Sequence, residues 1–132
     1  MTLLRELREH AARLAGASED FPFDFHNLAI RVAGKIFLLT DIRTEPLRVN
    51  LKCDPERSRK LRASYPEHVL PGYHMNKRHW NTLVLDGTLP DDLVRELIDH
   101  SYDLVFAKLP ARTRALLARG EVKGEGEQSV DA

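Results

Sequence analysis

The stretch Pro71 to Trp80, PGYHMNKRHW, holds two histidines (His74, His79), the Lys77–Arg78 pair, the turn former Asn76 and the chain's only tryptophan, Trp80. Such residues open three kinds of chemistry. For a metal, His74 and His79 flank a turn, with Cys53 and His68 elsewhere, but spacing offers no third ligand. Neither CxxC nor HExxH occurs, so no metal and no cofactor are expected. For catalysis, His74 or His79 would act as base, Asp86 or Asp54 as orienter, and Ser101 or Cys53 as nucleophile. No hydrolase elbow, phosphate loop or dinucleotide turn accompanies them. Gly34, Gly72 and Gly87 read as turn glycines. An enzyme ranks last and no catalytic residue is assigned.

Binding remains. Lys77 and Arg78 fall in a turn, Arg57, Arg59, Lys60 and Arg62 on a helix, and Arg48 and Lys52 on the outward face of a strand. Ammonium and guanidinium groups take phosphates as point charges or forks. His79 and Trp80 offer rings for stacking on bases. The competing reading is a solvated basic face beside a core tryptophan.

These residues need elements to hold them. Residues 2–15 predict a helix, with Leu3, Leu4, Leu7, Ala11 and Leu14 on one stripe and Gly16 as its stop. Ala17–Asn27, with Phe21, Phe23 and Phe25 around Pro22, reads as an extended aromatic edge over the core. Leu28–Ala33 and Ile36–Ile42 predict two strands around a Gly34-Lys35 turn, the second apolar on both faces at its start. Leu47–Lys52 alternates as a third strand. Asp54-Pro55 starts a basic helix that runs to about Tyr65. Val69–Met75 and Trp80–Leu85 predict a hairpin around Asn76-Lys77. Thr88 and Asp91 resemble a capping box ahead of a long helix that ends at Pro110. One short helix follows over 111–119. Ser101 and Tyr102 are read as packing residues of the long helix. Helices on one face of an antiparallel sheet give a two-layer α+β fold.

Composition bounds the answer. The chain has 132 residues, 42% of them hydrophobic, enough for one self-sufficient core. One cysteine excludes an internal disulfide and suits a reducing compartment. MTLLRELREH lacks the apolar stretch of a signal peptide, and no run reaches the ~20 apolar residues of a membrane span. A cytoplasmic location with no membrane partner is expected. Net charge is zero, yet residues 43–85 carry nine Lys/Arg against four Asp/Glu, while 86–132 carry six against ten. A local basic surface is expected on a neutral chain. The domain is read as 1–119, with 120–132 a disordered acidic tail.

FPF at 21–23, VAGKIF at 32–37, LKCDPE at 51–56, PGYHMNKRHWNT at 71–82, LDG at 85–87 and SYDLV at 101–105 occur together and in this order. With these motifs the chain resembles the MmcQ/YjbR family of small bacterial proteins. The resemblance implies an α-β(3)-α-β(2)-α fold, similar to type III secretion chaperones, and a DNA-binding role. Carried over by motif, it points to Lys52, His74, Asn76, Lys77, His79 and Trp80. The expected function is therefore a non-enzymatic DNA-binding or regulatory module, using the basic helix and the basic hairpin. The alternative is a small-ligand or protein-binding module with a groove lined by Phe21, Phe23, Phe25, Tyr73 and Trp80.

Overall fold

Alternation of apolar residues builds a six-stranded antiparallel sheet in the order β1-β2-β3-β4-β6-β5, seen in a computed structural model that describes residues 1–72 and 75–120. The strands are β1 (Ala17–Asp20), β2 (Asn27–Val32), β3 (Lys35–Asp41), β4 (Leu47–Lys52), β5 (Val69–Pro71) and β6 (Trp80–Leu85). Leu28, Ile30, Val32, Leu47, Val49, Leu51, Val69, Leu83 and Leu85 recur at every second position and are buried on one face. Helices α1 (Leu4–Ala12) and α3 (Asp91–Ala107) cover that face. α2 (Pro55–Ser64) packs on the β5 side, and the short α4 (Ala111–Ala118) follows α3.

The result is the expected α+β fold; of the extended edge expected over 17–27, residues 17–20 form a strand, β1, which pairs with β2 and adds a sixth strand to the α-β(3)-α-β(2)-α order. The three phenylalanines after it are not strand. Phe21, Phe23 and Phe25 are 42%, 69% and 94% exposed, so they do not lie over the core. The β2–β3 turn is Ala33-Gly34, one residue earlier than expected. Both residues have positive φ, 47° and 81°, and Val32 pairs with Lys35 across them. That is the backbone a two-residue hairpin requires. β5 extends only as far as Pro71, although the N–H of the next residue, Gly72, still donates to Trp80 O at 2.9 Å. The Thr88–Asp91 capping box does not form. Asp86 Oδ1 instead accepts the Thr88 N–H at 3.0 Å, and α3 begins after Pro90.

A bulge explains why β3 opens apolar on both faces. Ile30 pairs with Leu38, but the next residue, Arg31, pairs with Ile36. Phe37 is therefore an extra residue in β3. Phe37 and Leu38 both turn into the core, where Phe37 meets Tyr102 edge-on at 5.3 Å. The bulge frees the Phe37 carbonyl from the ladder to β4, whose pairs begin at Leu38 and Leu51. Ser101 of α3 answers it. Its hydroxyl donates to Phe37 O at 2.5 Å and accepts the Lys52 N–H at 2.8 Å. The same helix turn carries Tyr102, whose hydroxyl donates to Ala15 O at 2.6 Å and ties α3 to the segment after α1.

α2 has little apolar surface and is held by polar bonds. Asn81 Nδ2 donates to the buried Ser58 hydroxyl at 3.0 Å, and Arg62 Nε donates to Asn81 Oδ1 at 2.8 Å. No described helix is long and apolar enough to cross a membrane.

Candidate functional site

Among the described residues, no helix lies on the second face of the sheet. Ile36 and Leu39 of β3, Arg48 and Asn50 of β4, and Thr82 of β6 line a groove of about 780 Å³ there. Phe23 and His26 of the β1–β2 connection border it, Met75 lines it ahead of β6, and Arg43 and Thr44 come from the β3–β4 turn. The bulge matters again, because it sets Ile36 and Leu39 on this face while Phe37 and Leu38 fill the core. An ordinary solvated sheet face alternates to polar residues. Here apolar side chains stand where water would be.

The polar groups of the groove are mostly committed to one another. Thr82 Oγ1 donates to Asn50 Oδ1 at 2.6 Å, and Asn50 Nδ2 donates to Leu39 O at 3.1 Å. Arg43 forks onto Asp41 at 3.1 and 2.9 Å, and this pairing holds the Asp41 carboxyl well below its ordinary range, at about 2. His26 lies between Asp24, at 3.4 Å, and Asp41, at 3.7 Å, with Asn27 Nδ2 3.2 Å from its Nδ1. Arg48 is the exception. Its backbone N–H donates to Thr44 Oγ1, but its exposed guanidinium makes no ion pair or hydrogen bond among the described residues.

The expected basic surface is partly assembled. α2 and the turn at 76–79 meet around a recess of about 430 Å³ lined by Arg59, Arg62 and Arg78, with Glu56 and Ser58. Arg59 is paired with Glu56, and Arg62 donates to the carbonyls of Lys77 and Trp80, so it staples the turn to the helix. Arg57 points elsewhere, pairing with Glu96 of α3 at 2.7 Å. Lys52 lies beside Lys108 at the end of α3. Burial first, then that like charge, lowers its pKa from the usual lysine value. Asn76 Oδ1 accepts the Arg78 N–H at 2.9 Å, and the His79 carbonyl accepts the Cys53 N–H at 2.8 Å. Lys60, Lys77 and Arg78 are exposed; Trp80 is half-buried and does not line the groove. His74 and Tyr73, with residues 121–132, lie outside the described residues.

The start of α2 carries a proton-sensitive contact. Asp54 Oδ2 caps the helix by accepting the Arg57 N–H at 3.0 Å, and the Asp54 N–H donates to His100 Nε2 at 3.1 Å. That nitrogen must be unprotonated to accept. Burial, and next the charge of Arg57, hold His100 below the ordinary imidazole range. The unfolded chain then takes up this proton at higher pH than the folded one. The contribution is complete above the unfolded value of ~6.5 and is lost as pH falls from there through the lower folded-state value. The urea midpoint is expected to drop between pH 7 and pH 5.5, and to drop less in His100→Gln.

Among the described residues, no group of three His, Cys, Asp or Glu side chains is placed to hold a metal ion. Cys53 is buried, and burial raises its thiol pKa, which makes a poor nucleophile.

The YjbR family model matches residues 12–104, which include the groove strands, α2 and most of α3. The chain belongs to the YjbR family. An uncharacterised protein of Escherichia coli K12, YjbR, is 33% identical over 117 residues, covering 88% of this chain and 98% of that one. YyaQ of Bacillus subtilis, also uncharacterised, is 33% identical over 118 residues, covering 79% of this chain and 98% of its own. A crystal structure of a Deinococcus radiodurans protein with a DUF419 domain is 41% identical with a TM-score of 0.86, covering 89% of each chain. A Pseudomonas syringae protein of known structure, 24% identical with a TM-score of 0.62 over 77% of this chain, shares the fold. None of these relatives brings a function. Of the groove lining in this YjbR-family chain, sequence reasoning named Phe23 as a groove residue and placed Arg48 and Asn50 on the outward face of their strand. The available signal was Ile36 and Leu39, two apolar residues that strict alternation cannot bury together with Phe37 and Leu38.

Proposed function

We propose that the chain is a ligand-binding module without catalytic activity, and that its site is the groove on the open face of the sheet. One observation carries this reading. Apolar side chains from β3 and from two flanking segments line an open groove of about 780 Å³ on a face that no helix of the described residues covers. That volume lies within the range of small-molecule sites, roughly 300–1,000 Å³. A mixed set of small apolar and aromatic compounds, followed by methyl NMR, is expected to shift Ile36, Leu39 and Met75 together. Leu39→Gln should weaken binding on the order of tenfold, the value of one buried aliphatic side chain. Shifts scattered over both layers, or binding indifferent to Leu39→Gln, would sink the idea.

A second reading is the DNA contact expected of the basic helix and turn. It is favoured by the recess where Arg59, Arg62 and Arg78 converge. It ranks behind the groove because Arg57, Arg59 and Arg62 already have partners within the fold. Lys60, Lys77 and Arg78 are left to neutralise phosphates. Three such contacts give a slope of log affinity against log salt of roughly −3 on duplex DNA. A salt-titrated duplex assay with Lys77→Ala and Arg78→Ala tests it. No binding at low salt, or binding that neither substitution weakens, removes this reading.

A further inference from the structure

The groove has one group left over, and that group selects a ligand. Asp41 is held by Arg43, His26 sits between two carboxylates, and Asn50 and Thr82 bond each other and the β3 backbone. Only the Arg48 guanidinium enters the lining with no bond to any described residue. It stands on β4 two residues from Asn50, on the same face as Leu39 and Ile36. A free cationic fork at one side of an apolar trough matches a small molecule with an apolar body and a single anionic end.

We propose that the groove binds a small amphiphilic organic anion, a carboxylate or sulfonate on an aromatic or aliphatic body, with Arg48 taking the anionic end. This rests on the groove being the binding site. The apolar body packs on Ile36, Leu39 and Met75 beneath Phe23. The anion receives parallel N–H donors from Arg48. Water shares this exposed contact, so the charge contributes selectivity more than total affinity.

Two fluorescent naphthalene dyes of similar shape provide the test: anilinonaphthalene sulfonate, which carries one negative charge, and the neutral N-phenylnaphthylamine. Wild-type protein is expected to bind the sulfonate on the order of fivefold more tightly than the neutral dye. Arg48→Gln should erase that preference by weakening the sulfonate about fivefold more than the neutral dye. Leu39→Gln should weaken both dyes. In the wild-type protein, the Arg48 Nε–H resonance should move with the sulfonate and stay still with the neutral dye. Equal affinity for both dyes, or an Arg48 resonance that does not respond, overturns the anion proposal while Leu39→Gln still weakening both dyes keeps the groove. Dye binding that ignores Leu39→Gln overturns the groove itself, and the anion proposal with it.

Discussion

Ser101→Ala is expected to destabilise the protein by about 2–4 kcal/mol, read as a fall of roughly 1–2 M in the urea midpoint. The serine is fully buried and its hydroxyl serves two backbone groups at once. Deleting it strands the Phe37 carbonyl, which the bulge has already removed from the ladder, and the Lys52 N–H at the end of β4. Each buried unpaired polar group costs about 1–3 kcal/mol. The slope of unfolding should not change, because the same surface is exposed. Ser101→Cys keeps the volume nearly and weakens both bonds, so its cost should fall between wild type and alanine. Trp80 fluorescence follows all three transitions. An alanine variant within 0.5 kcal/mol of wild type, a bound of about the usual surface effect, would mean that the bulge is satisfied without this hydroxyl.

Gly72→Ala is expected to cost about 2 kcal/mol or more. A Cβ at residue 72 would stand 2.8 Å from Trp80 Cβ and 3.0 Å from Trp80 O. The second of these is backbone and cannot swing away. Gly72 also donates its N–H to that same carbonyl at 2.9 Å, so the two chains cannot separate without losing the bond. The strain falls where β5 runs into the turn that carries Lys77 and Arg78. The substitution should therefore shift the amide resonances of 76–80 even at temperatures where the domain stays folded. Serine at this position should cost as much as alanine, since its Cβ is the same obstacle. Unchanged stability in both variants would contradict the close approach.

Legibility followed the physics of each element. The alternation of Leu47, Val49 and Leu51 against Arg48, Asn50 and Lys52 placed β4 to the residue, because a strand with one wet face declares its period. The Asp54-Pro55 start of α2 was equally readable, since an acceptor side chain ahead of proline serves the free N–H groups of a first turn. The aromatic segment 21–25 is not legible from its residues, because phenylalanine alone says only that burial is favourable, not that a partner surface is within reach. The capping box at Thr88 failed because Asp86 had already taken the Thr88 N–H into a tighter turn. For the site, the sequence supplied a list of cations without their partners. Arg57, Arg59 and Arg62 look alike on a helix, and only packing gave one to Glu96, one to Glu56 and one to the carbonyls of the neighbouring turn.

By itself the sequence determined the family, the layered α+β class, and the basic character of PGYHMNKRHW. These depend on residue type and local period. The tertiary structure decided what those residues face. It set the turn of that segment against α2 through Arg62, which makes part of its charge internal. It inserted Phe37 as a bulge, which sent the neighbours Phe37 and Leu38 into the core and Ile36 and Leu39, on either side of them, to the groove on the other face. A bulge depends on register between strands and on a serine from a helix more than sixty residues away, and no local pattern carries that information.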